Sequence, residues 1–196
     1  MFKRSLTPAV ALILIGPVFA AQGHQHGQAS AAISMDGNTL TIDFEADMAD
    51  MVGFERAPRD VAEEAALAAL EERLRDGPPL FSAIDRAGCT LESAKVEGAY
   101  LGDAVDHHAH DDHEHEAAGD HDHEHEHENH AHGVADHLIV TSWTWTCAAP
   151  ERLTWVETDV FSAFPAIERI ETVIFSSTGQ AGAILSSSST RAQLPK

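Results

Sequence analysis

The chain has 196 residues, 32 Asp and Glu against 12 Lys and Arg, and a formal charge of −20 with histidine neutral. That balance argues against nucleic acid and against an anionic membrane surface as partners, and it suits a chain that gathers cations. Two cysteines leave room for one disulfide, and the length suffices for one domain with a sizeable core.

Residues 1–20 carry the marks of an export signal. Lys3 and Arg4 form a positive start, residues 9–15 are an unbroken apolar run, and Val18-Phe19-Ala20 offers small residues for cleavage after Ala20. The run is too short to span a bilayer, and no other segment approaches ~18 apolar residues. The expected mature chain, residues 21–196, is soluble, with no membrane insertion after signal cleavage. It is expected to be exported and to form a single domain.

Next come His24 and His26, just before a stretch in which Ala31, Ile33 and Met35 alternate with polar or small residues. Asp36-Gly37 is a hairpin signal, and Leu40, Ile42 and Phe44 alternate after it, so a β-hairpin with one apolar face is predicted. Residues 48–58 read as irregular. A helix is predicted from Pro58 or Asp60 to Arg75. Asp60 and Glu63 have capping-box spacing, Arg73 and Arg75 suit its last turn, and Leu67, Leu70 and Leu74 form its apolar stripe. Gly77-Pro78-Pro79 ends it.

Residues 89–101 read as a strand, and residues 137–147 as another with Ile139, Thr141, Trp143, Trp145 and Cys147 on one face. Cys89 and Cys147 flank this pair. In an exported chain an isolated pair most often forms a disulfide, with two thiolates on a metal as the less favoured reading. Residues 153–164 predict a short strand and a helical turn, and residues 170–175 and 181–185 two further strands. A mobile tail is expected at residues 187–196. The resulting fold class is α+β: an antiparallel sheet with one main helix packed on it, and a disordered His-rich loop (residues 103–136) inserted between two strands.

That insertion is the most informative feature. Residues 103–132 hold eleven histidines (His107, His108, His110, His113, His115, His121, His123, His125, His127, His130 and His132), eleven carboxylates, and no Lys or Arg. Imidazole and carboxylate are the ligand set of borderline divalent cations, above all Zn2+. The run offers many overlapping sets of three or four ligands, which predicts several zinc ions in rapid exchange. A pH-sensing tail is the blander reading, since histidine titrates near ~6.5. His123-Glu124-His125-Glu126-His127 formally matches the zincin signature H-E-x-x-H. That motif needs a helix packed on a core, no apolar stripe supports one here, and an alternating run makes the pattern by chance. No enzyme is expected. Copper(I) would prefer thiolates and thioethers, which are scarce; nickel and cobalt satisfy the same ligand types as zinc.

Three histidines lie outside the run. His24 and His26 precede the first strand and His137 begins the strand after the loop, so the three are candidates for a better ordered site at the loop mouth. The alternative is that His24 and His26 belong to a mobile terminus. Glu55 is a further candidate ligand, with a capping or ion-pair role favoured over it.

Several segments together resemble the ZrgA-type periplasmic zinc-uptake proteins of Gram-negative bacteria. They are His24-Gln25-His26-Gly27, Asp36-Gly37-Asn38, Val52-Gly53-Phe54-Glu55-Arg56-Ala57-Pro58, the His-rich insertion, Trp145-Thr146-Cys147, Phe161-Ser162-Ala163-Phe164-Pro165 and Thr178-Gly179-Gln180. The resemblance implies zinc capture and delivery to a zinc ABC importer or its binding protein, without catalysis. Two departures stand out: Arg56, where such proteins often have His, and the Trp143/Trp145 pair, where they can carry polar residues. The alternative functions are the substrate-binding component of a metal importer and a general nickel or copper buffer. About 146 residues outside the run (196 − 20 − 30) are too few for the two lobes of the former.

Overall fold

The computed structural model describes residues 26–76, 79–102 and 137–195. The alternating residues at the start form β1 (Gln28–Asp36) and β2 (Thr39–Asp47), an antiparallel hairpin in which Asp36 pairs with Thr39. Gly37 and Asn38 are therefore its two-residue loop, one position later than the expected Asp36-Gly37 corner. Ala29, Ala31, Ile33, Leu40, Ile42, Phe44 and Ala46 point inward and are buried.

A short helix α1 (Met48–Val52) follows directly, where irregular chain was expected. The main helix α2 (Val61–Arg75) begins as the capping-box spacing predicts: the Asp60 carboxylate accepts the Glu63 N–H at 2.9 Å. Its stripe of Leu67, Leu70 and Leu74 is buried. Then come β3 (Phe81–Ala83), β4 (Cys89–Gly98), β5 (Leu138–Cys147), β6 (Trp155–Thr158), α3 (Val160–Ala163), β7 (Arg169–Ser176), β8 (Gly179–Leu185) and β9 (Arg191–Gln193).

The described strands make two sheets, a six-stranded one in the order β4-β5-β2-β1-β7-β8 and a three-stranded one in the order β3-β6-β9. The expectation of a purely antiparallel sheet is corrected here, because β1 and β7 pair in parallel, Ile33 opposite Ile174. A parallel neighbour needs a crossover rather than a hairpin. The segment between β5 and β7, which carries β6 and α3, supplies it. The tail expected to be mobile contributes β9, which pairs with β6; Ala192 and Leu194 are buried. One apolar residue every second position over three residues is too little pattern to announce a strand.

The core lies between the large sheet, α2 and the small sheet. Phe44 of β2, Phe81 of β3 and Trp143 of β5 form a ring cluster with centroids 5.7 to 6.4 Å apart. Trp143 donates its indole N–H to the Leu74 carbonyl at 3.2 Å. That carbonyl is among the last of α2, which have no partner within the helix. Ile139, Thr141, Trp143, Trp145 and Cys147 are all buried, so the face assigned to β5 is its inner one.

β4 and β5 are antiparallel neighbours, and the His-rich insertion joins them. Residues 103–136 lie outside the described residues, so the disorder expected of them and the sites they carry do too. Both flanks are tied down. The Gly102 N–H donates to Glu71 of α2 at 2.8 Å, and the His137 carbonyl accepts the Met48 N–H at 2.8 Å.

At the opposite end of this hairpin Cys89 and Cys147 sit in register and are disulfide-bonded. The cross-link closes a 58-residue separation, a constraint on the unfolded chain of about 4 kcal/mol in the chain-entropy model. Reduction should therefore lower the melting temperature by roughly 10 °C while zinc capacity, measured by titration on the reduced protein, stays the same. A melting curve unchanged by reduction would show that the bond contributes nothing beyond the pairing it accompanies.

Candidate metal centre

The hairpin partner β2 ends at Asp47, and the chain turns there into α1. Strand alternation would point Asp47 outward, because Ala46 faces the core. Asp47 nevertheless sits opposite Leu138 of β5 and is only 4 % exposed. One carboxylate oxygen, Oδ1, accepts the Ala49 N–H at 3.0 Å and caps α1. The other, Oδ2, is buried with no hydrogen-bond partner. A buried, unpaired carboxylate oxygen is costly unless something positive approaches it.

His26 approaches it. Its Nδ1 lies 3.8 Å from Asp47 Oδ2 and 3.9 Å from Asp50 Oδ1, while the ring is otherwise exposed. Glu55 arrives from the loop after α1. Gly53 ends that helix with φ +88°, a left-handed conformation that bends the chain back. One ligand atom from each of His26, Asp47 and Glu55 lies within 4.8 Å of the other two. Zn–N and Zn–O bonds of about 2.0–2.2 Å place tetrahedral ligand atoms roughly 3.3–3.5 Å apart. A small inward movement would close this trio on a zinc ion, with a fourth position left open.

Arg56 holds the Glu55 loop. Both terminal nitrogens of its guanidinium bind Glu63, at 2.6 and 2.7 Å, and its Cζ lies over the Phe54 ring, 5.3 Å from the ring centre. In this chain Arg56 thus braces the Glu55 loop against α2. The Arg56 hydrogen bonds, helped by the Arg59 backbone N–H, hold the Glu63 carboxyl at about 2, below its ordinary 4.5. A carboxyl with a depressed folded value contributes stability that is fully present above about 4.5 and is lost as pH falls through about 2. Melting curves from pH 6 to 2 should show the native protein losing stability across that window more steeply than E63Q. Parallel curves would show that the pair makes no difference to folding.

The positions singled out in the sequence thus divide. His26 and Glu55 are brought together. Glu55 is the exposed carboxylate of the trio. His137 is not one of the trio, although its backbone binds Met48, next to Asp47. His24 and the eleven histidines of the insertion lie outside the described residues. Asp47 and Asp50 were missed. Their only signal is the Asp-x-x-Asp spacing after an alternating strand, which reads equally well as an ordinary helix start.

A His/Asp/Glu trio around a buried carboxylate oxygen, on a two-sheet domain closed by a disulfide, defines a candidate cation-binding protein. Among the described residues no helix is long and apolar enough to cross a membrane. The chain belongs to the ZrgA family of zinc uptake proteins, whose family model matches residues 23–194, most of its length. That is a family of uptake proteins and not of enzymes. No curated protein matches the sequence significantly.

Proposed function

We propose that this protein captures Zn2+ in the periplasm and passes it toward a high-affinity ABC importer, holding one ion in the folded domain and several more on the His-rich insertion. The buried, unpartnered Asp47 oxygen beside His26 carries this reading. A cation there replaces an electrostatic cost with a bond. Imidazole with two carboxylates is a zinc ligand set, and three protein ligands leave an open position through which the ion can be exchanged. The site lies where the insertion rejoins the fold, so ions gathered on the run are released next to it. The signal-like residues 1–20 and the disulfide support an oxidising, exported setting.

The test is the metal content of protein purified without a His tag or metal resin. Native mass spectrometry with zinc, copper and nickel offered together should show several zinc ions per chain. Preferential loading with copper or nickel would move the protein to a general metal buffer.

A further inference from the structure

Asp50 stands beside the trio without belonging to it. It is buried, and its two carboxylate oxygens do different things. Oδ2 accepts the Gly27 N–H at 2.6 Å, while Oδ1 lies 3.9 Å from His26 Nδ1. The peptide it grips is the one directly after the histidine. Gly27 is held from the other side as well: its carbonyl accepts the Glu168 N–H at 2.8 Å and the Arg169 N–H at 3.1 Å, at the start of β7. Gly27 has φ +79°, and a Cβ there would lie 3.3 Å from the Ala166 carbonyl oxygen. The backbone at His26 is thereby clamped between α1 and the approach to β7, and α1 is also the helix that Asp47 caps.

We propose that Asp50 is the positioning residue of the folded zinc site: by binding the Gly27 N–H it fixes the His26 imidazole over Asp47, and it does not itself need to bind the ion. The proposal rests on the metal-site reading above. Among the described residues, this bond is what ties the backbone beside His26 to the helix that Asp47 caps. Without the bond, the backbone beside His26 would lose its direct tie to α1, and closing the site would require fixing their relative position at the moment of binding, which weakens affinity. Residues that orient a ligand rather than supply one typically change metal affinity about 10–100-fold when removed.

The test is zinc titration of the whole, tag-free chain against a competing chelator that resolves its tightest class of sites. D50A should weaken that class by about 10–100-fold. D50N, whose side-chain oxygen can still accept the Gly27 N–H, should stay within about 3-fold of the native protein if position and not charge is what matters. In an H26A background D50A should have no further effect, because a residue acting through His26 has nothing left to position. If D50A does not fold, D50E serves. It keeps the charge, displaces the acceptor, and should still weaken the site. An unchanged constant in D50A or D50E, with H26A damaging, overturns the proposal and leaves the site reading intact. Equal damage by D50N and D50A overturns it in favour of a ligand or charge role. Additive damage in the H26A background overturns it in favour of a general structural role. An H26A variant with the native constant removes the site reading and this proposal together.

Discussion

With residues 103–132 replaced by a short Gly/Ser linker, the chain should fold, melt cooperatively, and lose most of its zinc stoichiometry while keeping about one ion. The retained fold follows from what holds the hairpin. β4 and β5 pair from Cys89–Cys147 to Gly98–Ile139, all outside the insertion. The Gly102 and His137 anchors at its two flanks also remain. The described region between β4 and β5 is interrupted by 34 residues (136 − 103 + 1). Cutting the connection to about a quarter of that length removes two doublings of loop length, a gain of roughly 1 kcal/mol in closure entropy. The melting temperature should be unchanged or slightly raised. The lost stoichiometry follows from ligand count, since eleven of fourteen histidines go. A deletion variant that binds as many ions as its parent would place the main ligands elsewhere.

The second large effect is expected from D47N. Asparagine retains an oxygen to cap α1 through the Ala49 N–H, so the helix start is preserved. The atom that replaces Oδ2 is an uncharged amide nitrogen, which cannot bind zinc and can donate to a neighbouring carboxylate. The tightest zinc constant should weaken by more than about 100-fold, beyond the range for residues that only orient ligands. At the same time the metal-free protein should be at least as stable as its parent, because a buried oxygen with no partner has been removed. Saturating zinc at about 1,000 times its dissociation constant should stabilise the native chain by roughly 4 kcal/mol through this site, and D47N should lack that increment. Thermal melts with and without zinc check both halves. A D47N protein that is less stable without metal and equally stabilised by zinc would make Asp47 a structural cap and no more.

Much of the fold can be read along the chain because its strands are long enough to show a period. Nine-residue β1 and β2 and ten-residue β5 each repeat the inward position four or five times, and α2 carries both its cap and its leucine stripe. Direction of pairing is another matter. Alternation in β7 is the same whether Ile174 meets Ile33 in a parallel or an antiparallel ladder, so the parallel pair could not be foreseen. β3 and β9, at three residues each, are formed by the sheet they join. The site was half visible for a related reason. His26 and Glu55 stand out as unusual residues near glycines. Asp47 and Asp50 look like surface acids until the fold buries them, and burial of a polar residue depends on elements far away in sequence. The carbonyl of His137 is what closes the chain over Met48.

The most direct test is anomalous diffraction at the zinc edge from crystals of the insertion-deleted protein grown with zinc. One peak should lie among His26, Asp47 and Glu55, with ligand distances near 2.0–2.2 Å and a water or exchangeable group in the fourth position. Crystals saturated with zinc that show no peak between these three residues would contradict the folded site.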